Sequence, residues 1–193
     1  VTNYLLVGLG NHGQKYQNNR HNIGYIVLDA VIQKLGLKNL KKQNNLSMFD
    51  LRIGDNKFFL LKPETYMNNS GIAVQQIKSF FKIENKNIIV IYDELDMKSS
   101  QCKIKVGGGD NGHNGIKSID QYCGKDYLRF KVGIGRPDNL YIPISDYVLS
   151  DLSQEEIANG SLIGGIIGSD LPKLFDKDGQ SVILNLISKA KLG

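Results

Sequence analysis

The chain has 193 residues, 41% hydrophobic and 22% charged, the balance of a globule that can bury a core without staples. Its two cysteines, Cys102 and Cys123, are isolated and form no Cys-x-x-Cys, which excludes a disulfide scaffold or zinc ribbon and reads as reduced thiols. A formal charge of +5 suits a polyanionic partner without requiring one; no leader-like segment opens the chain, and the longest apolar run, Ile88–Tyr92, falls far short of the roughly 20 residues of a membrane span, so one cytosolic domain over residues 1–193 is expected.

Residues 3–9 read as a first strand that turns at Gly8 and Gly10 into a polar, basic stretch carrying Asn11, His12, Tyr16, Arg20, His21 and Asn22. Ile23, Ile26, Val27, Ala30, Val31 and Leu35 form the stripe of a helix over 22–35, with Asn22 as candidate N-cap and Gly36 as C-cap. Residues 37–45 are polar and read as an exposed loop. Strands follow at 46–53 and 57–61, joined by Gly54-Asp55-Asn56 as a hairpin. The segment Thr65–Gly71 leads into a helix ending near Phe81, with Ala73, Ile77, Phe80 and Phe81 inward and Ser70 as its cap. The unbroken apolar run Ile88–Tyr92 suits a strand covered on both faces of a parallel sheet, and it stops at Asp93.

Residues 103–106 read as a strand with Lys103 and Lys105 on one face. Gly107-Gly108-Gly109, a polar loop and His113-Asn114-Gly115 then precede a short helix. A strand is expected at 128–134 and irregular chain at 138–152. Ser153-x-x-Glu156 is a capping box opening a helix to about Ile167, which four glycines make either weak or tightly packed; a last helix is expected over 180–190. The class is therefore α/β.

Gly8-x-Gly10-x-x-Gly13 matches the dinucleotide fingerprint in letters, but the next helix opens too late for its N-terminus to hold a pyrophosphate. No Gly-x-Ser-x-Gly, His-Glu-x-x-His or phosphate-binding loop is present, and three scattered histidines do not make a zinc site. What remains is an imidazole with carboxylate and amide partners. His21 can act as a general base, and Asp93, at a strand's carboxyl end where α/β sheets bind ligands, can fix its tautomer. With no serine or cysteine nucleophile in such a setting, the attacker is water, and one base suffices for an activated ester better than for an amide. From spacing alone, a lone histidine before a helix such as His21 is more often a cap or a surface residue than a catalyst, and Asp93 also reads as a turn former, Asn68 and Asn114 as caps or turn residues, Tyr66 and Met67 as core, and Lys103 and Lys105 as a solvated edge that deters strand pairing.

Seven ordered pieces carry more than any one motif: VGLGN at 7–11, Tyr16 with RHNIG at 20–24, KPETYMNNSG at 62–71, DELD at 93–96, KIKVGGG at 103–109, GHNG at 112–115 and VGIGRP at 132–137. Together they resemble bacterial peptidyl-tRNA hydrolase across nearly the whole chain. The resemblance implies a single α/β domain with a mixed, largely parallel twisted sheet between helices. It implies a monomer without metal or cofactor that cleaves the ester joining a nascent peptide to the terminal ribose of tRNA, recycling tRNA from peptidyl-tRNA lost by the ribosome. By the same resemblance His21 is the proton acceptor and Asp93 its supporting carboxylate, while Asn11 distinguishes blocked from free aminoacyl-tRNA. Tyr16, Tyr66, Met67, Asn68, His113 and Asn114 match substrate-contacting positions, and Lys103, Lys105 and Lys131 match those that hold acceptor-stem phosphates.

Three departures stand out. His12 replaces a frequent proline, so a looser turn is expected after Asn11. Asp110-Asn111 replace small or histidine residues, which adds a carboxylate beside the expected RNA track. Lys131 replaces a frequent arginine and loses bidentate phosphate geometry. Two other functions remain compatible with this scaffold: a non-catalytic RNA-binding protein, and a peptidase or amidase.

Overall fold

The structure is a computed structural model that describes residues 1–190. Seven strands, β1 (Asn3–Gly8), β2 (Lys41–Gln43), β3 (Leu46–Ile53), β4 (Asn56–Pro63), β5 (Ile88–Glu94), β6 (Cys102–Val106) and β7 (Leu128–Gly133), form one sheet in the order β2-β3-β4-β1-β5-β7-β6. The central pairs β4·β1, β1·β5 and β5·β7 are parallel, and β2·β3, β3·β4 and β6·β7 are antiparallel. Helices α1 (Ile23–Leu35), α2 (Ser70–Phe80), α3 (Asn114–Cys123), α4 (Ile144–Val148), α5 (Gln154–Ser169) and α6 (Lys177–Ala190) complete the fold. The expected α/β class with a mixed, largely parallel sheet between helices is what the chain adopts.

The alternation of strand side chains divides the core in two. Leu6, Phe58, Leu60, Ile89, Ile91, Phe130 and Val132 face α1, α5 and α6. Leu5, Val7, Phe59, Leu61, Ile88, Val90 and Tyr92 face α2 and α3. Every residue of β5 is buried, as its unbroken apolar run requires. No helix among the described residues is long and apolar enough to cross a membrane.

The glycines of α5 serve close packing. A Cβ on Gly164 would stand 2.3 Å from the carbonyl oxygen of Val27, and Gly160 and Gly168 press similarly on Ile23 and Lys34, whereas Gly165 faces open space. Spaced four apart, Gly160, Gly164 and Gly168 form one flat face against α1.

Local expectations fail in instructive places. Residues 41–43 are a strand, β2, not loop; they pair with β3 through backbone groups while all three side chains stay exposed, so no alternation marks them. Phe80 is 76% exposed because the inward face of α2 centres on Ser70, Val74 and Ile77, and Phe81 takes the aromatic contact, 4.0 Å from Phe59 between ring centroids. Asn22 occupies the N-cap position of α1 as expected, though its side chain makes no cap hydrogen bond; Ser70 is instead the first residue of α2, and its hydroxyl donates back to Met67 O at 2.8 Å. Residues 138–152 contain the short helix α4, and α6 begins at Lys177, ahead of the expected 180. Gly36 does end α1 in the left-handed region at φ 65°, and Ser153 and Glu156 make the expected capping box.

Candidate active site

The site lies outside the carboxyl ends of β1 and β5, the position an open α/β sheet favours for ligands. After β1 the chain crosses over the start of α1 at van der Waals limits: a Cβ on Gly10 would enter the Tyr25 ring at 2.7 Å, and one on Gly8 would meet Gly24 O at 2.5 Å. The glycines that imitate a dinucleotide fingerprint therefore let the strand end and helix start touch.

This contact aligns two asparagines. Asn11 N donates to Asn22 Oδ1 at 2.8 Å, and Asn22 Nδ2 donates back to Asn11 O at 3.0 Å. Asn22 thus spends its amide on Asn11 rather than on the helix. Asn11 Oδ1 in turn accepts from Met67 N at 2.7 Å, which fixes the amide's orientation and leaves Nδ2 as its donor. The departure at residue 12 has the opposite effect from that expected. His12 N donates to Thr65 O at 3.2 Å, a bond no proline could make, so the turn is tied to the segment after β4.

A single helical turn, Arg20–Asn22, sets His21 over the end of β5. Its Nδ1 meets Asp93 Oδ2 at 2.8 Å, and both side chains are nearly enclosed, at 11% and 2% exposed. The other carboxylate oxygen, Asp93 Oδ1, meets His113 Nε2 at 2.7 Å. His113 Nδ1 accepts from Gly115 N at 3.1 Å and Ile116 N at 3.2 Å, capping α3. The two backbone donors require a lone pair on Nδ1, so the ring proton of His113 is on Nε2, pointing at Asp93. Both nitrogens of His113 are committed. His21 differs: Nδ1–H donates to Asp93 and Nε2 keeps its lone pair.

Electrostatics follow the geometry. Burial disfavours the His21 imidazolium, but the charge of Asp93 and its hydrogen bond outweigh burial and raise the pKa above the ordinary 6.5. Burial likewise opposes the ionised form of Asp93, yet the two imidazoles hold its carboxyl well below the usual carboxylate range. Asp93 is an anion at neutral pH, and His21 is the stronger base for it.

His21, Asp93 and His113 offer ligand atoms within 4.8 Å of one another, close enough to test against a metal ion. The donor set fits poorly. Ligation through His113 Nε2 would send its proton to Nδ1, which faces two backbone N–H groups.

His21, Asp93, His113 and Asn114 line one crevice of about 390 Å³ with Tyr92, Glu94, Asn111, Arg136 and the α4 residues Ile144, Ser145 and Val148. Asn11 and Met67 are linked to each other outside that lining. Tyr16 and the exposed Tyr66 stand edge to face, 6.4 Å between ring centroids, with exposed Asn68 in the turn that follows. The lysines separate. Lys103 and Lys105 are exposed on the edge strand β6. Lys131, paired in register with Lys103, has only 16% of its side chain exposed and bonds Glu94 Oε1 at 3.1 Å.

Sequence reasoning placed His113 among substrate contacts and missed its bond to Asp93, because nothing local tells which nitrogen meets which strand end. It also missed Arg20. Arg20 Nη1 donates to Ser150 Oγ and Asp151 O, both at 2.7 Å, and the guanidinium lies over the Tyr147 ring at 4.6 Å, so the residue before His21 fastens the segment that carries α4.

The family model described as peptidyl-tRNA hydrolase matches residues 5–181. A peptidyl-tRNA hydrolase of Bartonella quintana is 44% identical over 187 residues, covering 97% of this chain and 96% of its own. One from Aliarcobacter butzleri is 50% identical over 154 residues, covering 80% and 82%. Among solved structures, a peptidyl-tRNA hydrolase of Acinetobacter baumannii superposes with a TM-score of 0.80 at 32% identity, covering 95% of this chain and 93% of its own.

Proposed function

The chain belongs to the peptidyl-tRNA hydrolase family, and from that premise we propose that it hydrolyses the ester between peptide and tRNA by attack of water, with His21 as general base. The observation that carries this reading is the His21 Nδ1–Asp93 Oδ2 bond of 2.8 Å, which leaves Nε2 as the one basic ring nitrogen at the crevice. Water gives its proton to Nε2 as its oxygen forms a bond to the ester carbonyl carbon. The carbonyl becomes an oxyanion, and its collapse expels the ribose oxygen, which takes the proton back from the His21 imidazolium and restores the base. Asp93 stabilises the imidazolium formed in the first step and remains ionised.

Amides supply the rest. Asn11 Nδ2, held by the Met67 bond, is a fixed donor for the peptide end of the substrate. Asn68 and Asn114 are exposed on either side and suit a peptide backbone, which they can bind without reading side chains. Tyr16 and Tyr66 offer ring faces to the unpaired end of the RNA. Lys103 and Lys105 suit acceptor-stem phosphates as point charges, giving sequence-independent, salt-dependent affinity. Lys131 contributes less, because Glu94 already holds it. The reaction on this reading needs no metal, proceeds in a monomer and takes place in the cytoplasm.

The test compares cleavage of an N-acetylated aminoacyl-tRNA with its unblocked counterpart by wild type and His21→Ala. Rapid cleavage of the blocked substrate alone, lost in the variant with tRNA binding retained, is expected. No cleavage by folded wild type would point to a pure RNA binder, cleavage of blocked peptides without RNA to a peptidase, and cleavage surviving the substitution to another base.

A further inference from the structure

The loop between β6 and α3 has little conformational preference of its own. Gly107, Gly108 and Gly112 all have positive φ, at 62°, 106° and 78°, and this loop carries His113 and Asn114 into the crevice. Its shape is imposed by pins. At its start, the buried Arg129 donates through Nη1 to Gly109 O at 2.9 Å. At its end, His113 is bound to Asp93. At its tip, Asn111 Nδ2 donates to Glu94 Oε2 at 3.0 Å and to Asp96 Oδ2 at 2.7 Å.

Asn111 is itself in the left-handed region, at φ 49°, which a non-glycine residue holds where its surroundings impose it. Both hydrogens of its amide go to carboxylates, and each carboxylate has a cationic partner: Lys131 Nζ on Glu94 Oε1 at 3.1 Å, and Arg136 Nε on Asp96 Oδ1 at 2.7 Å. The amide therefore joins two ion pairs across the rim of the crevice. Two residues on, His113 N donates to Asp110 O at 2.9 Å, so the same turn that carries the latch feeds the cap of α3. The departure at 110–111 is thus a built contact between the loop and the end of β5.

We infer that Asn111 is a positioning residue, a latch from the 107–113 loop to Glu94 and Asp96 that holds His113 and Asn114 in register across the crevice from His21. The inference rests on the catalytic reading above, since it concerns the placement of that site's residues. The Asp96 carboxyl is held below the usual range by its bonds to Arg136 and then to Asn111, consistent with an ionised acceptor.

The test uses Asn111→Asp, which keeps the shape but sets a third carboxylate between Glu94 and Asp96, and Asn111→Gly, which keeps the left-handed backbone and removes the latch. The titratable and charged groups around the position are Asp110 beside it, Asp93, Glu94 and Asp96 from β5 and its end, Lys131 from β7, Arg136 beyond it, and His113. kcat and KM for N-acetylated aminoacyl-tRNA are measured from about pH 5 to 8, the His21 limb is fitted for each protein, and kcat divided by that protein's own fraction of unprotonated His21 is expressed as a ratio to wild type. At about pH 7.5 each variant should lose roughly tenfold or more in kcat, with KM within about twofold. The Asn111→Asp ratio should climb as pH falls and the introduced carboxyl, pushed up by its like-charged neighbours, becomes a donor again, while the Asn111→Gly ratio stays flat. Wild-type kcat in either variant, a loss carried by KM, or a flat ratio for Asn111→Asp overturns the latch. Should Asn111→Asp not fold, the kcat–KM split of Asn111→Gly decides. Failure of the catalytic reading shows separately, in wild type, as activity that does not depend on His21.

Discussion

His113 hydrogen-bonds Asp93 through Nε2 at 2.7 Å while its other nitrogen accepts two backbone N–H groups, so the second histidine of the site is a fixed donor and not a second base. Asp93 is thereby held between two imidazoles of unlike role. One has a free nitrogen; the other has none.

That division of labour has a kinetic signature. His113→Ala should cost about 0.5–2 kcal/mol of stability through the lost cap of α3. It should leave a single acid limb in the pH–rate profile, at or above the wild-type midpoint, because Asp93 loses a donor that dilutes its charge. Thermal unfolding together with the profile checks this; loss of the limb would make His113 the base.

Asn11 separates stability from rate. Asn11→Asp keeps an oxygen to accept from Met67 N and removes the Nδ2 donor. kcat should fall by about 10²-fold with little change in Tm. Asn11→Ala should lower both, stability by about 1–3 kcal/mol, since it strands the buried Met67 N–H. Equal effects of the two substitutions on kcat and on Tm would remove the donor role.

The lysines should divide by their partners. Lys103→Ala with Lys105→Ala should flatten the log–log salt dependence of tRNA binding by roughly 0.7–0.9 for each phosphate no longer neutralised. Lys131→Ala should change the slope less, because that ammonium is already bonded to Glu94. Binding measured across a salt series distinguishes them, and the reverse ranking would move the RNA track toward β7.

Glycines in α5 offer a test of packing. Gly164→Ala forces a Cβ to 2.3 Å from Val27 O and should destabilise by about 1–3 kcal/mol, whereas Gly165→Ala meets open space and should be neutral or stabilise by about 0.4–1 kcal/mol. Denaturant unfolding of the pair settles whether α1 and α5 are in contact at these positions.

Much of this architecture is legible in the residues because it follows from periodicity. The apolar run Ile88–Tyr92 of β5 announces a central parallel strand, the hairpin turn at Gly54 closes β3 on β4, and the box at Ser153 opens α5. The fold fails to announce itself where backbone pairing acts alone, as at β2, or where a side chain finds a distant partner in place of a local one, as when Asn22 leaves its helix for Asn11. The site divides in the same way. His21 and Asp93 lie at ends of elements, where chemistry is expected. The tautomer of His113, the capture of Lys131 by Glu94 and the latch at Asn111 depend on bonds across 17 to 37 positions of sequence or on the geometry of one ring, and no spacing rule encodes them.

The most direct test of His21 as the base is the pH dependence of kcat/KM for an N-acetylated aminoacyl-tRNA in wild type, His21→Ala and Asp93→Asn. The base must be unprotonated, and its pKa is raised above 6.5, so the wild-type rate should rise with pH through a midpoint above 6.5. Asp93→Asn removes the charge that raises it while burial remains, so its midpoint should move to lower pH, with the plateau down by about 10²-fold or more. His21→Ala should lose the limb and about 10²–10⁴-fold in rate. A limb that persists in His21→Ala, or a midpoint that Asp93→Asn leaves in place, would contradict the assignment.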